Sequence, residues 1–452
     1  MRSAVRTDKG LRIARLGGTV AAIALLSYCA TTAAYAEDAC KPEDKKILTV
    51  WDVFAYEGVK AAGPAVEKIN AAFQKAHPCV VFSRSVFGGG WPVRNAVELA
   101  LKSGQGPDVF YSWPAGAGIA TYGNAGYLTD LTPYAQKYGW ADRLPQWALQ
   151  RNSLHGKLYG YPWQQDLEYV YYNPKMFHEL GLTIPKSFDD VLGWCDKAAA
   201  AGKIPIALGD QDLWPEVNMW TDMVALVGGR QVGLDLLQGR KPWNSSEPKK
   251  ALEMLKQMVA HQCFSPGFNG TSWNDSVLQF YSGQSTAIWT GTWVVQDMVK
   301  NMPADELDIF YMPPFEPGHP QATHMSESGS WMVWSGSKVK DLAAEYINFA
   351  SDPKWLEVWI KDGGIIPIQK EPLDFSKFGI SGVVSKAFNI GQAMVDKNVD
   401  AFHTTAPPRV TFVMYNDIQG VLTGKTDVED FLKKLDEQMT VAKTNGEVWA
   451  PN

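Results

Sequence analysis

Eighteen tryptophans, 17 tyrosines and 19 phenylalanines in 452 residues are the first chemical feature of this chain. Flat apolar rings can hold the C–H faces of a ligand, and carboxylates beside them can accept its hydroxyl hydrogen bonds. The signals for bond-making chemistry fail on inspection. Gly420-x-x-x-Gly-Lys-Thr426 has one residue too few between its glycines for a phosphate-cradling loop. Ser335-x-x-Lys338 and Ser351-x-x-Lys354 have the spacing of an acyl-enzyme serine, but no S-D-N or K-T-G partner accompanies them. Asp210-Gln-Asp212 lacks the rest of a calcium loop. The seven histidines are scattered, and there is no C-x-x-C. We therefore expect no catalytic residue, no cofactor and no metal.

Composition narrows the class. With 46% hydrophobic and 20% charged residues the chain is globular. Lys plus Arg at 42 against Asp plus Glu at 48 leaves no electrostatic footprint for nucleic acid. Residues 1–36 read as a signal peptide. Arg2, Arg6, Lys9, Arg12 and Arg15 form a basic start, and the apolar stretch 20–26 is far shorter than the ~20 residues of a membrane span. Ala34-Tyr-Ala36 fits the cleavage rule, so the mature chain is expected to start at Glu37, periplasmic or secreted. Lipid anchoring at Cys29 is the alternative, with bulky Tyr28 where such sites take a small residue. Without the leader, 37 basic residues face 47 acidic ones, a net charge of −10. Four cysteines remain for an oxidising compartment. Of their three pairings we favour Cys40–Cys79 with Cys195–Cys263, because bonds between sequence neighbours close each part of the chain independently.

The elements that position the rings alternate between strand and helix. β-Branched residues predict a strand at 47–51. Val66, Ile69 and Phe73 predict a helix ending before His77-Pro78. A strand at 79–86, a helix through Val93, Val97 and Leu101, and a strand at 107–111 follow. This βαβαβ run argues for a mostly parallel sheet covered by helices, which binds ligands beyond the carboxyl ends of its strands. Later, Ser187-x-x-Asp190 caps a helix, 204–208 reads as a strand, and Leu252, Leu255 and Val259 mark another helix. Thr426-x-x-Glu429 reads as the capping box of the last helix. No Gly/Ser-rich or Pro-rich linker cuts the chain, so two units would be crossed more than once.

A set of landmarks runs in order along the chain: Gly106-Pro-Asp-Val-Phe-Tyr-Ser-Trp113, Ala125-Gly-Tyr-Leu-Thr-Asp-Leu131, Gly156-Lys-Leu-Tyr-Gly-Tyr-Pro162 and Tyr171-Tyr-Asn-Pro-Lys-Met-Phe177. Pro185-Lys-Ser-Phe-Asp-Asp190 and Phe280-Tyr-Ser-Gly283 leading into Ala287-Ile-Trp-Thr-Gly-Thr-Trp293 complete the series. In this order they resemble the extracellular sugar-binding proteins of ABC importers, the family 1 solute-binding proteins similar to maltose-binding protein. The resemblance implies a two-lobed α/β clamp, each lobe a mostly parallel sheet flanked by helices. It places crossings near 163–166, 289–293 and 351–353, giving an N-lobe of 37–164 plus 290–352 and a C-lobe of 165–289 plus 353–452. It also implies a monomer that captures a carbohydrate or sugar-like osmolyte and delivers it to membrane permease subunits.

A pyranose needs aromatic platforms for its faces and carboxylates, amides or Arg for its rim. Tyr56 and Glu57 follow the first strand, Trp91 the second, and Ser112 and Trp113 the third. Trp163, Gln165 and Asp166 lie at the first crossing, Trp214 and Glu216 beyond the strand at 204–208, and Trp293 after the return strand. The family pattern puts Trp113, Asp166, Trp293 and Glu57 foremost, then Trp91, Trp214 and Glu216. Glu327, Ser330 and Arg409 complete the candidates. Each has a structural alternative: a Trp can be core, Glu57 a helix cap, Asp166 a tie at the hinge. The rival reading is a secreted glycoside hydrolase, which would set two carboxylates across the sugar.

Overall fold

In a computed structural model, residues 40–54, 62–88, 91–315, 323–393 and 399–449 are described. The expected leader and Glu57 lie outside them. The opening follows the predicted alternation. Strand β1 (Lys46–Asp52) pairs in parallel with β2 (Val80–Val86) and β3 (Val109–Ser112). The helices Ala62–Ala76 and Trp91–Lys102 make the connections. Val66, Ile69 and Phe73 are buried in the first of these, as their helical spacing requires. A short hairpin, β4 (Ser153–Leu154) with β5 (Lys157–Leu158), precedes the strand that organises the molecule.

That strand, β6 (Gly160–Tyr172), has 13 residues. At about 3.3 Å per residue it extends roughly 40 Å, enough to serve more than one core. Tyr161 and Trp163 lie in a first core with β1, β3 and the helices around them. Leu167, Tyr169 and Tyr171 lie in a second core, and Val170, pointing the opposite way, lies in a third. The remaining strands are β7 (Ile204–Ala207), β8 (Ser285–Gly291), β9 (Asp308–Phe310), β10 (His324–Val333) and β11 (Val399–Asp400). Their order is β2-β1-β3-β10-β6-β8-β7, with β9 on β6 and β11 on β10. The flanks are parallel. Around β6 and β10 the pairs β3–β10, β10–β6, β6–β8 and β6–β9 are antiparallel, so the sheet is mixed where a mostly parallel one was expected.

The crossings also differ from expectation. Segment 290–310 does not return to the first core. β9 pairs with Val170–Tyr172 of β6, and Val294, Val295, Met298 and Ile309 fill the second core. The return is made by β10, whose His324–Met325 end meets β11 while its Ser330–Val333 end pairs with β3. The third passage lies at 365–368, beyond the expected 351–353. There the Gln165 N–H donates to the Ile366 carbonyl and the Ile368 N–H to that of Trp163. Ile365 and Ile368 face the first core and Ile366 the second, so this one segment contributes to both.

Both expected disulfides, Cys40–Cys79 and Cys195–Cys263, are formed. Ser187 caps the helix Phe188–Ala200 by accepting the Asp190 N–H. The last helix, Val428–Thr444, is capped one residue later than predicted, by Asp427. Its shorter carboxylate accepts the N–H groups of Glu429 and Asp430, replacing the Thr426 box.

Candidate functional site

Three tryptophans from three separate segments form one wall. Trp214 immediately precedes the long helix Pro215–Leu237, Trp273 opens the helix Trp273–Tyr281, and Trp293 follows β8. Ring centroids of Trp214 lie 5.6 Å from Trp273 and 5.6 Å from Trp293, the latter edge to face. Trp273 is fixed by Nε1–H to Thr290 at 3.3 Å and by its backbone N–H to Asp212 at 2.8 Å. Trp293 lies over Gly291, where a Cβ would stand 1.9 Å from the ring. Trp214 and Trp293 remain partly exposed, so the wall has a free face. Trp273 is the member that sequence reading missed, because nothing local ties a helix-opening Trp to the other two.

Carboxylates bracket the wall. Asp166, buried in β6, accepts from Thr292 Oγ1 at 2.7 Å and from Gln164 Nε2 at 2.7 Å, so it ties β6 to the residue before Trp293. Asp210 accepts the Glu216 N–H at 2.9 Å and the Gln419 amide at 2.9 Å. Burial pushes Asp210 up to about 7. Glu216 is fully buried with both carboxylate oxygens unpartnered, and burial with the neighbouring Asp210 holds it well above the usual carboxylate range.

The other candidates are dispersed. Trp113 follows β3 half-buried against the first core, its carbonyl oxygen within 2.0 Å of where a Cβ on Gly118 would sit. Trp163 is buried in that core, edge to face with Trp359 at 4.6 Å. Ser330 is buried in β10. The side chains of Trp91 and Glu327 lie outside the described residues, as does Glu57. Arg409 is committed elsewhere: its guanidinium makes a two-pronged pair with Glu447 at 2.7 and 2.8 Å. It stands ten residues, roughly 15 Å of helix, from the Gln419 that meets Asp210.

A second polar cluster went unread in the sequence. Glu168 of β6, Asp222 of the long helix and His324 of β10 are all buried, with one ligating atom from each within 4.8 Å of the others. His324 places Nδ1 3.0 Å from Asp222 Oδ1 and Nε2 3.6 Å from Glu168 Oε1. Burial pushes Glu168 up to about 8. Burial alone would depress His324, but Asp222 and Glu168 outweigh it and raise the imidazole to about 9. The one available signal was an acid inside each of two apolar runs, Leu167-Glu-Tyr-Val and Trp220-Thr-Asp-Met-Val.

Separate cores linked by extended passages, with a partly exposed aromatic wall beside them, make a two-lobed α/β fold. Residues 58–357 match the family described as bacterial extracellular solute-binding protein, and the chain belongs to that family. A probable sugar-binding periplasmic protein of Mesorhizobium japonicum is 31% identical over 216 residues, 46% of this chain and 49% of that one. A multiple sugar-binding protein of Streptococcus mutans is 22% identical over 56% of this chain and 60% of its own length. This chain therefore spans about half to three fifths of these relatives. A solved chitin oligosaccharide binding protein shares the fold, with a TM-score of 0.79 at 20% identity over 88% of this chain and 99% of that one. No helix among the described residues is long and apolar enough to cross a membrane.

Proposed function

We propose that this chain is the ligand-capturing component of an ABC importer. It binds a mono- or oligosaccharide, or a sugar-like osmolyte, and delivers it to membrane permease subunits. The observation that carries this reading is the Trp214–Trp273–Trp293 wall beside Asp210 and Glu216. The wall offers apolar platforms, and the acids offer hydrogen-bonding partners for hydroxyls. Relatives named for sugar binding support the same class.

The contact set we propose is Trp214, Glu216 and Trp293 from one lobe, with Glu57, Trp91 and Trp113 supplied by the other. Asp166 and Glu327 stand on the strands that pass between them. Arg409, held by Glu447, is left out. The working form is a monomer cleaved after Ala36 that performs no catalysis. Its lobes close on the ligand, because only a ligand that binds the closed form better can drive closure. Contacts that join the two lobes include the Arg151–Asp400 ion pair, Trp449 Nε1 to the Ser153 carbonyl at 3.3 Å, and Asn124 to the Gly446 carbonyl at 2.6 Å.

The test is a melting screen of residues 37–452 against mono- to tetrasaccharides, polyols and amino acids, followed by analysis of the recovered ligand. Intact sugar present at 100 times its Kd should stabilise the protein by about 2.7 kcal/mol. Stabilisation by amino acids alone would overturn the carbohydrate reading. Cleaved sugar would overturn the absence of catalysis.

A further inference from the structure

We infer that Glu168, Asp222 and His324 form a binding site for one divalent transition-metal ion of the zinc type, joining β6, β10 and the long helix where the chain passes between lobes. The three ligating atoms come from three different elements and lie within 4.8 Å of one another. A four-coordinate ion with ligands at ~2.0–2.2 Å would set them about 3.4 Å apart, so the widest pair must close by up to about 1.4 Å. The donor set, one imidazole and two carboxylates, suits zinc and its first-row neighbours better than calcium, which takes oxygen alone.

The surroundings of the cluster are those of a built site. Asp222 Oδ1 takes the His324 N–H at 2.6 Å, the Thr323 hydroxyl at 2.9 Å and His324 Nδ1 at 3.0 Å. The other oxygen, Oδ2, is buried without any partner. Asn218, one helical turn before Asp222, donates to Glu168 Oε1 at 2.7 Å, while its own Oδ1 is also buried and unpartnered. Of the imidazole nitrogens, Nδ1 faces Asp222 Oδ1 at 3.0 Å and Nε2 faces Glu168 Oε1 at 3.6 Å. Two buried acceptors therefore lack donors in one spot, and a cation needs acceptors only.

The experiment uses the mature chain, unfolded with chelator and refolded with zinc or cobalt chloride, then freed of loose metal by gel filtration. About one equivalent should be retained, and the cobalt form should show the visible absorption of a four-coordinate ion. His324→Gln and Glu168→Gln should each lower retention at least tenfold while far-UV circular dichroism stays native. The cobalt spectrum of wild type decides the matter should either variant fail to fold. Wild type that retains no metal would overturn the inference. So would full retention in a folded His324→Gln chain, which would move the ion to a surface pair such as His261 and Asp196, 2.8 Å apart.

Discussion

Asp210→Asn tests the electrostatics at the head of the long helix. Asp210 has no exposed surface, and both its oxygens are engaged by neutral donors, the Glu216 N–H and the Gln419 amide. Burial is the main reason its pKa rises from 3.8 to about 7, with Asp212 adding to the rise and the two hydrogen bonds opposing it. The native state thus holds this proton more tightly than the unfolded chain. Stability from the group is whole below about pH 4 and falls as pH climbs toward 7. At about 1.4 kcal/mol per pH unit, the full displacement is worth about 4 kcal/mol. Between pH 5 and pH 8 the same two values give a loss of roughly 2–3 kcal/mol. Asn keeps an oxygen for the Glu216 N–H, and the Gln419 amide can turn to accept from the new Nδ2. Urea unfolding of wild type and variant at both pH values compares them with respect to this group, since titrations not coupled to Asp210 cancel in the difference. The variant should gain roughly 2–3 kcal/mol on wild type from pH 5 to pH 8. A gain below about 0.5 kcal/mol, the usual scatter of such differences, would refute the reasoning.

Other consequences can be checked alongside it. Trp293→Ala or Trp214→Ala should weaken carbohydrate binding about tenfold or more by titration calorimetry, given ~1.4 kcal/mol per decade; unchanged affinity would remove that ring from the site. Replacing Cys195 and Cys263 together by Ala opens a closure of 68 residues and should cost about 4 kcal/mol, slightly more than the pair closing 39 residues, Cys40 and Cys79. A reversed ranking would count against the loop-entropy account. In Gly329→Ala the new Cβ would stand 1.9 Å from the Tyr111 ring, so a loss of about 1–3 kcal/mol is expected, partly recovered when Tyr111→Leu is added.

What could be read in advance was local. β-Branched runs and 3.6-residue spacing located β1, β2, β3 and their helices, because those patterns are written within ten residues. Trp214 and Trp293 were found because each follows a strand. The second crossing was misplaced for the opposite reason. β8 ends in the Thr-Gly-Thr-Trp293 landmark, but whether 290–310 then packs on one core or another depends on β9 meeting β6 more than 130 residues earlier. The apolar run Ile365-Ile-Pro-Ile368 serves two cores at once, which no single-core pattern suggests. The metal-ligand cluster was invisible because His324 and Asp222 are 102 residues apart and the helix bearing Asp222 is apolar nearly all round.

Among the described residues six acids are buried: Asp52, Asp166, Glu168, Asp210, Glu216 and Asp222. Asp52 is answered by Arg84 through both oxygens at 2.7 Å, the arrangement a purely structural buried acid calls for. Glu168, Asp210 and Asp222 are met instead by amides, a hydroxyl, backbone N–H groups and one imidazole, and both Glu216 oxygens are unpartnered. Burying carboxyl groups costs stability, and apolar side chains of similar volume would serve packing better. These four are confined to the middle of β6 and to the approach and first two turns of the long helix, the segments that also hold Trp214 and meet Trp293. A cost gathered at one place, beside a partly exposed aromatic wall, marks where the chain gives up stability for polar recognition.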